Sequence, residues 1–211
     1  HMLGQALFGD ESLDHGAEAF TDPASGKSFT FEEIGYRSFY SVNQEQLQTS
    51  ASHTSEVSPP PFMAQFAEVE VDPQTGVVRV LEFVNTVDCG QPINPVLAEG
   101  QMEGAAVNGI SYAMTEEFVF NRDGRVINAA FGRYGMYSTL DMPRMKTFLI
   151  TTHDENGPFG AKSVGEIGIN GPAPAIANAI YDAIGVRIYD PPMTPERVYR
   201  AIQAAGAEAG E

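Results

Sequence analysis

The stretch FAEVEVDPQTGVVRVLEFVNTVD, Phe66 to Asp88, decides the fold class. Apolar and polar residues alternate through FAEVEVD, PQTG makes a turn, and a long β-rich run follows, which together predict a β-hairpin. After CGQPINP, small and apolar residues recur at helical spacing, predicting a buried helix from Pro95 to about Thr115 whose Gly100, Gly104 and Gly109 allow close packing. FVFNRDGRVIN predicts a second hairpin around Asp123-Gly124, and KTFLITTHD a further strand. APAIANAIYDAIG reads as a helix stopped by Gly185 and VRIYD as a short strand. TPERVYRAIQAA reads as a helix with Thr194 as N-cap and Pro195 in its first turn. Strands and helices are mixed without a regular strand-helix alternation, so the expected class is α+β.

Upstream of the hairpin the periodicity is weak. One short helix is expected from Thr30 to Ser38, where Glu33 follows Thr30 at capping-box spacing. The Ser-, Thr- and Gln-rich run that ends in three prolines, Ser41 to Pro61, is expected to be a polar loop or extended chain. The expected organisation is a tag remnant at 1–2, an irregular segment with a short helix at 3–64, and the main domain at 65–211.

The 211 residues carry 28 acidic and 12 basic side chains, a formal net charge of −16. That field opposes a general affinity for nucleic acid or anionic membrane. No apolar run approaches the roughly 18 residues needed to span a bilayer, and no signal peptide opens the chain, so a cytoplasmic location is expected. A single cysteine, Cys89, excludes an internal disulfide and a thiolate cluster or zinc site built from this chain's own cysteines. Its place at the end of a β run suits a buried small hydrophobe. His53 and His153 share no ligand spacing, and no metal-ligating residue is assigned.

The chemistry concentrates in GPFGAKSVGEIGING, Gly157 to Gly171, where glycines surround one acid, Glu166. Such a loop lets backbone amides approach a ligand closely with a carboxylate beside it. The residues by themselves favour the plainer reading, a tight turn whose Glu favours the start of a helix.

An ordered set of segments resolves that choice. FAEVEVDPQTGVVRV, DCGQPINP, GQMEGAAVNGI, LDMP, GPFGAKSVGE and PPMTPERVYRAI follow one another along the chain. Together they resemble the carboxy-terminal part of the large, molybdopterin-binding subunit of the xanthine dehydrogenase and aldehyde oxidase family of molybdenum hydroxylases. The resemblance runs from about Gly26 to Ile202. It implies that Glu166 is the general base beside a molybdenum centre, that Gln101 hydrogen-bonds the pterin, and that Gly165, Val164, Ser163 and Lys162 line the same cofactor-binding loop. A buried environment with few hydrogen-bond donors is expected around Glu166, since that is what suits a carboxylate to take up a proton. Lys162 has two readings, a partner for the cofactor phosphate or a cap on the loop.

The resemblance further implies hydroxylation of an N-heterocycle or an aldehyde with oxygen from water. It also implies a molybdopterin-type molybdenum cofactor shared with an N-terminal molybdopterin-binding domain or subunit that would lie before Leu3. Iron–sulfur clusters and FAD would sit on partner domains or subunits. On this reading the chain alone is inactive. The competing function is a non-catalytic assembly domain of such a complex, which would need neither Gln101 nor Glu166. A stand-alone hydrolase built on Glu166 lacks an acid partner or a Ser-His pair. Arg133 and Tyr134 are candidate substrate-channel residues, and the Glu116-Glu117 pair is expected to face solvent.

Overall fold

The computed structural model describes residues 14–15, 19–21, 25–40, 50, 52 and 56–208. They form two compact units that part between Thr54 and Ser55. The first holds β1 (Asp14–His15), β2 (Ala19–Thr21) and β3 (Ser28–Thr30) in an antiparallel sheet, followed by helix α1 (Phe31–Tyr40). The expected capping box forms: Glu33 N–H donates to Thr30 Oγ1 at 3.1 Å, and Thr30 N–H donates to Glu33 Oε2 at 2.9 Å. Most of the polar run from Ser41 to Thr54, with His53, lies outside the described residues.

The second unit is built on the hairpin read from the sequence. β4 (Phe62–Val71) pairs antiparallel with β5 (Val78–Asp88), and β6 (Arg144–Ile150) joins β5 in parallel to give the order β4-β5-β6. β4 starts at Phe62, so a boundary drawn after residue 64 falls inside this strand. A parallel neighbour requires a crossover, and helix α2 (Pro95–Met114) lies in that connection together with the short helix α3 (Phe131–Tyr134). Asn94 caps it, accepting the Leu97 N–H at 3.1 Å, and Pro95 fits the first turn because its missing N–H would have no partner there.

One face of the sheet is covered by α2 and by α4 (Pro172–Ile184). α2 buries Ala98, Met102, Ala106, Ile110 and Ala113, a stripe at helical spacing, and α4 buries Ile176 and Ile180. Phe83, Met102, Ile110, Ile176 and Val198 of α5 (Pro195–Glu208) are fully buried. Each contributes about 1.5–3 kcal/mol by removal from water. Gly185 ends α4 in the left-handed region, and Arg197 N–H donates to Thr194 Oγ1 at 3.4 Å at the start of α5, as expected.

Three expectations need correction. VRIYD is not a strand; Ile188 instead packs against the core from an irregular segment. FVFNRDGRVIN closes as a turn with one isolated bridge, Phe120 to Val126, because Asn121 Oδ1 accepts from the amides of Asp123 and Arg125 and the Asn128 side chain takes the Val119 amide. Of the three helix glycines only Gly109 serves packing: a Cβ there would stand 2.5 Å from Pro172 Cγ, whereas Gly100 and Gly104 have nothing within 4 Å.

Candidate functional site

The loop that carries Glu166 is attached to the end of β5. Gly90 bridges Ala161, the Lys162 amide donates to the Cys89 carbonyl at 2.7 Å, and the Gln91 amide donates to the Gly160 carbonyl at 2.9 Å. Gly90 lies in the left-handed region, φ 70°, so the chain reverses directly after Asp88. Asp88 Oδ2 takes the Lys162 ammonium at 2.7 Å, and its Oδ1 takes the Thr152 hydroxyl at 2.6 Å and the Gly90 amide at 3.0 Å. Burial by itself would raise the Asp88 carboxyl, but the Lys162, Thr152 and Gly90 donors outweigh it and hold it at about 2. Cys89 is buried and unpaired as a free thiol, and burial pushes that thiol up. It packs with Val87 and Met102, and Val164 rests against the same cluster.

Beyond Val164 the loop turns outward. Gln101 Nε2 donates to the Gly165 carbonyl, and the Tyr112 hydroxyl donates to the Ile169 carbonyl at 2.6 Å, so α2 grips the loop on both sides of Glu166. Glu166 caps a 3-10 turn, Ile167–Ile169, through its carbonyl, which accepts the Ile169 amide at 3.2 Å. Its carboxylate is exposed. The burial expected around it is not supplied by the described residues, because it stands on the rim of the loop rather than beneath it.

The bridge between Gln101 and Gly165 separates two depressions. One, about 280 Å³, is lined by Gly100, Gln101, Gly104, Asn108, Gly165 and Glu166. The other, about 450 Å³, is bounded by Gln91, Asn94, Leu97, Lys162 and Val164 as well as Gln101 and Gly165. A Cβ at Gly100 or Gly104 would meet nothing within 4 Å, and one at Gly165 only Ser163 Oγ at 3.9 Å. The amides of Ser163, Val164 and Glu166 have no hydrogen-bond partner among the described residues. Bare backbone on two elements, unpaired amides and one carboxamide fit a large, flat, polar cofactor read through the main chain.

The six residues singled out from sequence therefore divide. Gln101, Gly165 and Glu166 are exposed and line the depressions, and Ser163 is exposed but lines neither of them. Lys162 and Val164 are half-buried at the wall of the larger depression: the ammonium of Lys162 is engaged by Asp88 and lies 5.3 Å from the Phe62 ring centroid, which favours its reading as an anchor of the loop. Arg133 and Tyr134 are not near this site. They precede Gly135, whose carbonyl accepts the Thr115 hydroxyl at the other end of α2, roughly 20 Å from Gln101 at 1.5 Å per residue. Glu117 pairs with Arg197 at 2.7 Å, but Glu116 is half-buried and accepts the Ser111 hydroxyl, so the pair does not simply face solvent. The sequence reading missed Asp88, Asn94 and Tyr112, polar groups whose partners are remote in the chain or hidden by the turn they cap.

The molybdopterin cofactor-binding domain family matches residues 6–143, a span that includes Gln101 and stops before the Glu166 loop. A probable hypoxanthine oxidase of Escherichia coli is 35% identical over 208 residues, covering 92% of this chain and 22% of the relative. The 6-hydroxypseudooxynicotine dehydrogenase complex subunit gamma of Paenarthrobacter nicotinovorans is 40% identical over 146 residues, covering 68% of this chain and 18% of the relative. Among solved structures, quinoline 2-oxidoreductase from Pseudomonas putida 86 aligns with a TM-score of 0.77 at 26% identity, over 92% of this chain and 26% of that one. The chain thus spans about a quarter or less of these proteins' lengths.

Proposed function

Because the chain belongs to the molybdopterin cofactor-binding domain family, we propose that it forms the closing part of a molybdenum hydroxylase active site, with Glu166 as general base and Gln101 as a cofactor contact. When bound, such a cofactor supplies the two-electron oxidising centre for hydroxylation of an N-heterocycle or an aldehyde with oxygen taken from water. The observation that carries the reading is the open backbone at Gly100, Gly104 and Gly165 around Gln101 and Glu166. The fold does not need glycine at these places, and each methyl group omitted widens the approach to main-chain amides.

The Glu166 carboxylate takes up the proton that water loses on becoming the attacking oxygen, and its exposed position lets it reach a group lying in the depression. Gln101 donates one N–H to Gly165 and so keeps its carbonyl oxygen and second N–H for the cofactor edge. Ser163 and Gly165 present backbone rather than bulk. Lys162 and Val164 act from below, tying the loop to Asp88 and to the Val87–Met102 cluster. The dry surroundings a carboxylate base requires come from the covering domain or subunit, which also brings the remaining cofactor contacts; the chain alone does not turn over. Iron–sulfur and flavin subunits complete electron transfer, and the assembly works in the cytoplasm. Among the described residues no helix is long and apolar enough to cross a membrane.

The test is Glu166→Gln in the assembled enzyme. Hydroxylation is expected to fall by roughly 10²–10⁴-fold, the usual contribution of a general base, with molybdenum content unchanged. Near-normal turnover would end the assignment and favour the assembly-domain reading.

A further inference from the structure

A polar row crosses the helix-covered face of the sheet. Gln65 on β4 stands opposite Asn85 on β5, which stands opposite Thr147 on β6. Apolar rows flank it, Met63–Val87–Leu149 on one side and Ala67–Phe83–Met145 on the other. Asn85 is fully buried. Its Nδ2 donates to Thr147 Oγ1 at 3.4 Å, while Gln65 Nε2 donates both to Asn85 Oδ1 at 2.7 Å and to the Gly168 carbonyl at 2.9 Å. Gln65 Oε1 is buried with no partner among the described residues.

Amides in such a row are unfavourable beside apolar side chains of the same size unless they are fully bonded, and this row is not. What the Gln65 amide does there is reach out of the sheet to the turn that follows Glu166. That turn is held from the other side as well. A Cβ at Gly168 would stand 2.9 Å from Ala105 Cβ on α2, and Tyr112 holds the Ile169 carbonyl. The amide reaches the turn only because residue 171 is glycine: a Cβ there would stand 2.2 Å from Gln65 Oε1. The carboxylate of Glu166 is exposed and makes no hydrogen bond of its own among the described residues, so its direction is set by the backbone beneath it.

We propose that Gln65, steadied by Asn85, is a positioning residue that fixes the Glu166 turn through the Gly168 carbonyl. The inference rests on the reading of Glu166 as the base. A purely structural role would weaken the whole sheet; a positioning role loosens one turn.

The experiment is Gln65→Met in the assembled, molybdenum-loaded enzyme, with amide hydrogen exchange followed at residues 166–170 and at residues 78–84 of β5. Exchange in the turn is expected to rise about tenfold with the strand unchanged. kcat is expected to fall by about tenfold with KM and molybdenum content unchanged, since small misplacement of a reacting group slows chemistry more than binding. Unchanged exchange in the turn, or an equal rise in turn and strand, would overturn the proposal. So would full kcat in Gln65→Met beside an inactive Glu166→Gln. Where Gln65→Met does not assemble, Gly171→Ala decides by the same exchange criteria, because its methyl displaces the Gln65 amide without removing it. Normal turnover in Glu166→Gln overturns the base reading, while the exchange of the turn reports on Gln65 independently.

Discussion

Two groups of glycines in this chain look alike in the sequence and differ in three dimensions. Gly90, Gly109 and Gly168 are crowded: an added Cβ would stand 2.3 Å from the Gly160 carbonyl, 2.5 Å from Pro172 Cγ and 2.9 Å from Ala105 Cβ respectively. Gly100, Gly104 and Gly165 are open, and the nearest atom any of them would meet is Ser163 Oγ at 3.9 Å. The first group lets the chain pack on itself. The second lies where Gln101 and Glu166 emerge, and leaves room for a molecule that is not part of the chain.

The contrast breaks first at Gly90. It combines a left-handed backbone with a blocked Cβ, so Gly90→Ala is expected to cost roughly 2–5 kcal/mol in denaturant unfolding. A cost below about 1 kcal/mol would show that the turn gives way easily and that crowding is a poor guide here.

Next comes the ion pair that this turn brings together. Asp88→Asn is expected to lose about 2 kcal/mol at neutral pH, from the fall of the carboxyl from its ordinary 3.8 to about 2. The folded-state value is depressed, so the stabilisation is present above 3.8 and disappears as pH falls through about 2. Unfolding curves for the two proteins should therefore converge across that window. A gap that persists below it would assign the loss to packing rather than to charge.

Smaller effects are expected at the open positions, and with the opposite sign. Gly104→Ala should stabilise the chain by about 0.5–1 kcal/mol, because the exposed helix gains alanine propensity and meets no neighbour. Molybdenum content of the assembled enzyme should fall. A stabilised variant with full molybdenum would remove Gly104 from the cofactor surface. Gly165→Ala should change stability by less than about 0.5 kcal/mol, again with reduced molybdenum. Thermal unfolding paired with metal analysis reads both.

Much of the frame was legible beforehand. The hairpin, the long helix, α4 with its Gly185 stop and the capped α1 and α5 rest on local patterns: alternation, helical spacing, caps. VRIYD was misread because a β-rich run becomes a strand only when tertiary packing sets it alongside an edge, and this run instead packs Ile188 onto the core from an irregular segment. Glu166 and Gln101 were legible through a family pattern, and the structure places them on one surface. The partners of the Lys162 and Val164 side chains were not, because Asp88 and Met102 lie far away in sequence, although anchoring of the loop was one of the two readings open for Lys162. Gln65 did leave a trace, as a polar residue in the apolar phase of FMAQFAEVEV.

By itself the sequence determined the α+β class, the order of the main elements and the pairing of a glycine-rich loop with one acid, since these follow from short-range periodicity and motif spacing. Only the tertiary structure decided which glycines are filled and which are bare, that Lys162 belongs to Asp88, and that the carboxylate of Glu166 stands exposed on a turn held by α2 and β4. Those are properties of long-range packing, in which the space beside a residue is set by segments that the local chain does not encode.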